Sequence, residues 1–477
     1  MPVEAEAVAA GFSEYARKAV HIAMGGFALL LAYLPWPVSF LLAVGALLHN
    51  VFLLPRYAAE KLFRTGSARA SRPDAGIVLY PSVIALLILL LRNHLEIVAA
   101  AWGALAFGDG MATVAGKALG GPRLPWNREK TWSGLLAFLL AGGYAGFSLF
   151  WWTFTRLYAH DPAFPGYRIL VTLSHASHHS RMIYLAPPLL AVLCAAIVES
   201  LPLGIDDNIS VPLVTAGILT VLYFIDPYAW EISRPHVLRT FPWAVGVNAA
   251  LGLAAYAARS VSISGLAGGA FLGTVVFCLG GGRSFAVMLA FFLLGTAATK
   301  VGYVKKEAAG IAQEKGGRRG AKNAFANCGM GAILALLAAV SPLGPLALFG
   351  LVAAFATACA DTVSSELGQA YGRTTYLITS FRRVPHGTEG AVSLEGTLAG
   401  IAASIVLAAL GWALGLVGGA GAAVIVVAAF VGTTVESYLG ATLEQRNLIG
   451  NEAINFANTL VGALTAMGLA QLLGLAG

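Results

Sequence analysis

The sequence predicts an all-α polytopic membrane protein, with about fifteen transmembrane helices in two parallel, repeat-like halves. Three observations predict this class. Hydrophobic residues make up 58% of the 477 and charged residues only 11%, with a mean hydropathy of +0.76; soluble globular domains carry roughly 25% charged residues. Apolar runs of spanning length recur along the whole chain. One polar pattern, an acid followed by a Gly-rich basic loop, occurs twice.

The apolar runs place helices near 19–34, 37–54, 76–91, 95–118, 133–154, 183–200 and 208–225, then near 241–258, 262–280, 284–302, 324–341, 344–370, 393–415, 418–438 and 452–473. With a cytoplasmic N-terminus, most of the 30 Lys and Arg fall in cytoplasmic segments, as the positive-inside rule requires. The odd helix count then puts the C-terminus outside. This bias explains the basic excess (30 Lys+Arg against 23 Asp+Glu) better than nucleic-acid binding does. Residues 1–10 are acidic and no cleavage-like site follows the first apolar run, so no cleavable signal peptide is expected. The four cysteines lie in apolar segments without metal-ligand spacing.

The first polar pattern reads GDGMATVAGKALGGPRLPWNREKTWSG, from Gly108 to Gly134. Asp109 falls at membrane depth, where a carboxylate costs about 2.5–3.5 kcal/mol and is a functional candidate by default. Gly108, Ala112, Ala115 and Gly116 share a helical face and admit a close neighbour. Lys117, Arg123, Arg128 and Lys130 follow. An acid before a Gly-rich basic loop suits a magnesium ion held with a polyphosphate; the structural alternative is a buried Asp capping a broken helix beside a positive loop. Upstream, Glu14, Arg17, Lys18 and His21 lie largely on one face of the first helix, and Tyr80-Pro81 marks a kink in the third. Downstream, Glu199 ends the sixth helix, and Asp206, Asp207 and Asn208 follow, a set of oxygen donors suited to magnesium. The segment lacks the spacing of a phosphate-binding Walker loop.

The second pattern begins after Lys300, in a loop carrying Arg318, Arg319, Lys322, Asn323 and Asn327. Asp361, Ser365 and Gly368 share a face of the twelfth helix, with Glu366 nearby. Arg373, Arg382, Arg383 and His386 lead to VSLEGTLAG, which contains Ser393 and parallels KTWSGLLAF. Val435-Glu436-Ser437 parallels Val198-Glu199-Ser200, and Asn447, Asn451 and Asn455 complete the set. Both acidic helices run in the same direction, which makes the repeat parallel. The polar stretch from Ile225 to Thr240 separates the halves, giving domains at 1–225 and 240–477.

On these residues the first half, over roughly 12–225, resembles the CTP-dependent phytol kinase and dolichol kinase family. Its KTWSG segment is closer to phytol kinases, since dolichol kinases usually carry Glu where Ser133 stands. The resemblance implies transfer of the CTP γ-phosphoryl group to phytol or a related isoprenoid alcohol. The family is related to phosphatidate cytidylyltransferases, which use CTP differently. The second half, over roughly 255–473, resembles the phytyl-phosphate kinase family through GGRRGAKNAFAN, ADTVSSELG, VPHGTEGAVSLEGT and ESYLGAT. Here Glu436 stands where the family usually has Asp, and Lys322 where many members have Gln.

The resemblance implies two successive kinases in one chain, the first making an isoprenoid monophosphate and the second a diphosphate. Asp109, Lys130, Asp361 and Lys322 are then the expected catalytic residues. Metal would be held by Asp109, Glu199, Asp206, Asp207 and Asn208 in the first half, and by Asp361, Glu366, Glu436, Asn451 and Asn455 in the second. Nucleotide would be bound by Arg17, Lys18, Lys117, Arg123 and Arg128, and by Arg318, Arg319, Asn323, Asn327, Arg382, Arg383 and Ser393. The expected cofactor is Mg²⁺ with CTP as phosphoryl donor. The expected partners are the isoprenoid alcohol and its monophosphate, the nucleoside triphosphate and the bilayer, with no nucleic acid. The expected location is the cytoplasmic membrane with both sites facing the cytoplasm. Two other readings are a CTP-dependent lipid cytidylyltransferase, which would release pyrophosphate, and a tandem-repeat transporter, which would consume no nucleotide. The cluster His175, His178 and His179 reads as an outer loop, Trp126, Trp132, Trp151 and Trp152 as interfacial residues, and Gly418 to Gly421 as a turn between helices.

Overall fold

The computed structural model describes residues 14–57, 75–158, 178–202, 204–308, 310, 317–445 and 449–475. Lys61, Arg64, Arg69, Arg72, His175, Lys315, Arg446 and Asn447 lie outside them, as do the side chains of His178 and His179. The chain is a helical integral membrane protein that divides into two compact units, Met1–Tyr223 and Phe224–Gly477. Among the described residues, ten helical stretches are long and apolar enough to cross a membrane, and three apolar helices are shorter. The helix count expected from the apolar runs is therefore reached only in part. Two expected spans lie in one 38-residue stretch, Ile263–Lys300, bent where Gly281 takes φ +76°.

The first unit contains α1 (Glu14–Met24), α2 (Trp36–Tyr57), α3 (Ala75–Leu90) and α4 (Leu95–Ala118), a short hairpin of β1 (Arg123–Leu124) and β2 (Asn127–Thr131), then α5 (Trp132–Tyr158), α6 (His178–Ser200) and α7 (Asp207–Tyr223). In the most apolar 18 residues of α4, 78% are buried, against 17% in α2, so the acid-bearing helix is the axis of the unit. Small residues make that possible. A Cβ at Gly142 would fall 2.9 Å from the Gly108 Cα, and one at Gly103 would fall 3.0 Å from the Ala145 backbone. The backbones of α4 and α5 thus meet with no side chain between them.

The second unit contains α8 (Pro227–Ala257), α9 (Ile263–Val275), α10 (Gly281–Lys300), α11 (Tyr303–Ala308), α12 (Ala321–Val340) and α13 (Gly344–Tyr371), a two-residue-per-strand hairpin of β3 (Tyr376–Leu377) and β4 (Ala391–Val392), then α14 (Leu394–Ala413), α15 (Gly419–Glu444) and α16 (Asn451–Leu472). Here α13 is the axis, with 83% of its most apolar 18 residues buried. The stretch expected to separate the halves is instead the first part of α8. Asp226 caps that helix by accepting from the Tyr228 amide, and Pro227 stands at its first position, where no amide is needed. Within it Arg234 pairs with Glu231, three residues earlier, at 3.7 Å. The turn expected at Gly418 to Gly421 lies earlier, with Gly415 at φ +69°, and Gly418 is the cap of α15.

The two hairpins are built alike. Thr131 caps α5 by accepting from the Gly134 amide, at 3.1 Å, and Ser393 caps α14 by accepting from the Gly396 amide, also at 3.1 Å. A Cβ at Gly134 would fall 2.9 Å from the Ala112 carbonyl oxygen, and one at Gly396 would fall 2.6 Å from the Ser364 carbonyl oxygen. Ala112 and Ser364 each lie three residues beyond their helix's acid, Asp109 and Asp361. The parallel read between KTWSG and VSLEG is therefore a repeated docking of hairpin onto acidic helix.

Candidate active sites

Asp109 closes a π-helical turn, Ala104–Asp109, within α4; such turns recur at functional sites. Its carboxylate is buried. The Lys18 ammonium donates to Asp109 Oδ2 at 2.6 Å. His21 Nε2 lies 3.3 Å from the same oxygen and 3.1 Å from the Leu105 carbonyl oxygen. The helical spacing of Lys18 and His21 puts both on the face of α1 that meets α4.

Lys130 reaches the site from the hairpin. Trp126 donates to Ser200 Oγ at 3.1 Å and Asn127 to the Ser200 carbonyl at 3.2 Å, which docks the hairpin on the end of α6. Lys130 Nζ then lies 2.7 Å from Glu199 Oε1 and 3.2 Å from Asp207 Oδ2, and also donates to the Glu199 carbonyl. Burial lowers the Lys130 pKa, but Asp207 and Glu199 outweigh it and hold the ammonium above the ordinary lysine value. Asp206 accepts from the Asn208 amide at 2.9 Å and from its side chain at 2.6 Å, a turn that sets Asp207 at the start of α7.

These elements bring Asp109, Glu199 and Asp207 together, with carboxylate oxygens all within 4.8 Å of one another. Three hard oxygen donors converging at a buried point fit Mg²⁺, which takes a few carboxylates plus phosphate oxygens and water. Asp206 and Asn208 support that set through the turn. Arg17 pairs with Glu14 at 2.5 Å. Lys117, Arg123 and Arg128 are exposed, and Arg123 donates to the Glu129 carbonyl at 3.1 Å.

Beside the acids runs a groove that sequence reasoning missed. It has a volume of about 720 Å³ and is lined mainly by apolar residues of α1, α2 and α3. His21, Arg17 and Asn208 stand among its few polar walls. Tyr80, accepting from Trp102 Nε1 at 2.8 Å, contributes to the wall. His21 therefore faces both the groove and Asp109.

In the second unit Asp361 is buried on α13. It lies within electrostatic reach of Arg319 and of Glu436. Burial pulls the Arg319 guanidinium below its ordinary value, against the attraction of nearby groups including Glu366 and Asp361. Glu366 is not left open for a metal ligand role alone, since it forms a buried ion pair with Lys306. Lys306 was not singled out in the sequence, where it reads as one of several loop cations. Ser393 is occupied as the cap of α14. Asn327 donates to the Asn323 carbonyl at 3.0 Å, and Asn455 to Asn451 Oδ1 at 3.2 Å. Arg318, Lys322, Arg382 and Arg383 are exposed.

The family described as integral membrane protein DUF92 matches residues 246–463. An uncharacterized membrane protein of Synechocystis sp. is 44% identical over 237 residues, which span 48% of this chain and 92% of that protein. Protein VTE6, chloroplastic, of Arabidopsis thaliana is 42% identical over 221 residues, 44% of this chain and 66% of that protein. A probable phytol kinase, chloroplastic, of Triticum aestivum is 28% identical over 222 residues, 43% of this chain and 67% of that protein. No solved structure matches significantly. By its matched second unit and its identity to these membrane proteins, the chain belongs to the DUF92 family of integral membrane proteins.

Proposed function

We propose that the chain is a membrane-embedded isoprenoid kinase that uses CTP to convert an isoprenoid alcohol to its monophosphate in the first unit, and converts the monophosphate to the diphosphate in the second. One observation carries this reading: an apolar groove of about 720 Å³ is walled by His21, which also lies 3.3 Å from Asp109 in the acid cluster. Such a groove suits a long apolar tail whose hydroxyl stops at His21. The names of relatives, probable phytol kinase among them, support the same class.

In this reading Asp109, oriented by Lys18, positions the acceptor hydroxyl and takes its proton. The hydroxyl oxygen bonds to the γ-phosphorus, the bond from that phosphorus to the bridging oxygen breaks, and CDP leaves. Glu199, Asp207 and Asp109 would hold Mg²⁺, which when bound neutralises charge on the phosphate oxygens. Lys130 neutralises the remaining donor charge, as phosphoryl transfer demands positioning and charge compensation above all. In the second unit Asp361 and Glu436 take the acidic roles, and Arg319 supplies the buried cation. Both sites open toward the cytoplasm in the orientation that the positive-inside rule favours.

The test uses purified protein, Mg²⁺, isoprenoid alcohols and CTP labelled at either the α- or the γ-phosphate. Label from the γ-position alone in the lipid supports the kinase. Label from the α-position, with pyrophosphate released, supports cytidylyl transfer instead.

A further inference from the structure

The second unit contains a small cationic pocket that shares only Arg319 with the roles above. Its volume is about 260 Å³, below the roughly 300–1,000 Å³ of pockets that enclose a drug-sized ligand. Arg259, Lys300 and Arg319 line it, with the hydroxyl-bearing Ser260, Thr296 and Thr299, and no acid is among its lining residues.

Four features show how the pocket is built. The Arg319 amide donates to the Ser260 carbonyl at 3.0 Å, and the Ser262 amide donates to the Arg319 carbonyl at 3.0 Å, so two distant segments are stitched together at the wall. Arg259 adopts φ +56° just past the end of α8, where the Ser260 amide donates to the Ala255 carbonyl at 2.9 Å, a left-handed helix end that turns the chain into the wall of the pocket. Gly295 clears space for the guanidinium, since a Cβ there would fall 3.0 Å from an Arg319 terminal nitrogen. Thr296 Oγ1 is buried with no hydrogen-bond partner, a group that a ligand oxygen would satisfy. The neighbouring Lys306 donates to the Thr299 carbonyl and is already neutralised by Glu366.

Three cations and an orphan hydroxyl around a space too small for a nucleotide match a phosphate dianion. Arg319 also lies within electrostatic reach of Asp361, so a phosphate held here would lie near the acid of the second unit. We propose that this pocket is a phosphomonoester site in which Arg259, Lys300 and Arg319 bind the phosphate of a lipid monophosphate, the acceptor of the second unit and not its nucleotide donor. The assignment of the ligand as acceptor rests on the kinase reading; the anion site itself does not.

The test is calorimetric titration of the purified full-length protein in detergent micelles with farnesyl monophosphate, inorganic phosphate and CTP separately. Wild type is compared with Arg259→Gln, Lys300→Gln and the conservative Lys300→Arg, each checked for an unchanged unfolding temperature. The expected result is that farnesyl monophosphate binds wild type and weakens about tenfold or more in each Gln variant. Lys300→Arg is expected to keep that binding, and CTP affinity to stay within about twofold throughout. Loss of CTP affinity with monophosphate binding intact would overturn the proposal by making this a donor pocket. Loss of inorganic phosphate binding alone would overturn it by making this a free-phosphate site, and no anion binding to wild type would remove the site. If the variants weaken monophosphate binding but wild type forms no diphosphate, the pocket stands and the kinase reading falls.

Discussion

The Lys18 ammonium lies 2.6 Å from the Asp109 carboxylate across 91 residues of sequence, and both side chains are almost fully buried. Each charge is tolerable there only because of the other. Lys18→Met should leave Asp109 uncompensated and destabilise the first unit by roughly 3–5 kcal/mol, the typical cost of breaking a buried pair from one side. Lys18→Met combined with Asp109→Asn should unfold at a higher temperature than Lys18→Met alone, yet make no monophosphate. Thermal unfolding in detergent with a paired activity assay reads both effects.

The close approach of Gly134 to the Ala112 carbonyl predicts a separable pair of lesions. A side chain at Gly134 should push the first hairpin off α4, and one at Gly396 should push the second off α13. Overpacking of this kind costs about 1–3 kcal/mol locally. Gly134→Val should therefore depress monophosphate formation while sparing conversion of supplied monophosphate, and Gly396→Val should do the reverse. A product assay started from either substrate distinguishes them.

Glu199 and Asp207 converge with Asp109, so Glu199→Gln and Asp207→Asn should raise the Mg²⁺ concentration for half-maximal first-step activity. The shift should reach at least the roughly 10–100-fold that loss of a supporting ligand partner costs. A metal titration of monophosphate formation measures it, and a chelator should abolish that step in wild type.

Ala46 lines the apolar groove. Ala46→Trp should fill part of it and raise KM for long isoprenoid alcohols about tenfold, with KM for CTP unchanged. Short alcohols should be less affected, because one or two fewer methylenes are each worth about 0.8 kcal/mol of buried surface.

The pairing of Lys130 with Glu199 and Asp207 raises its folded pKa above the ordinary lysine value. A group raised in this way contributes its stability fully below the unfolded pKa and loses it as pH rises through the folded one. The stability lost in Lys130→Met should thus shrink as pH rises through the folded lysine pKa, which lies above the ordinary lysine value of about 10.4. Thermal unfolding across that rise checks it.

Much of the candidate site was legible because acids are conspicuous in apolar sequence. Asp109 and Asp361 stand out in runs with almost no charge, and the parallel between KTWSG and VSLEG marks two hairpins that dock in the same way. The same parallel marks Thr131 and Ser393 as helix caps three residues before a glycine. The groove was not legible, since its lining comes from α1, α2 and α3, segments far apart in sequence whose residues look like any membrane-facing surface. The Lys306–Glu366 pair was hidden for a related reason: 60 residues separate its partners, and a loop cation gives no sign of which acid it will meet. The helix at Pro227–Ala257 was obscured by its polar residues, of which Glu231 and Arg234 pair one turn apart.

Two units performing successive steps are separated most directly by their products. Purified Asp361→Asn protein given an isoprenoid alcohol, Mg²⁺ and γ-labelled CTP should accumulate labelled monophosphate and no diphosphate. Asp109→Asn protein should make nothing from the alcohol but should still convert supplied monophosphate to diphosphate. Diphosphate from Asp361→Asn, or monophosphate at the wild-type rate from Asp109→Asn, would contradict the account.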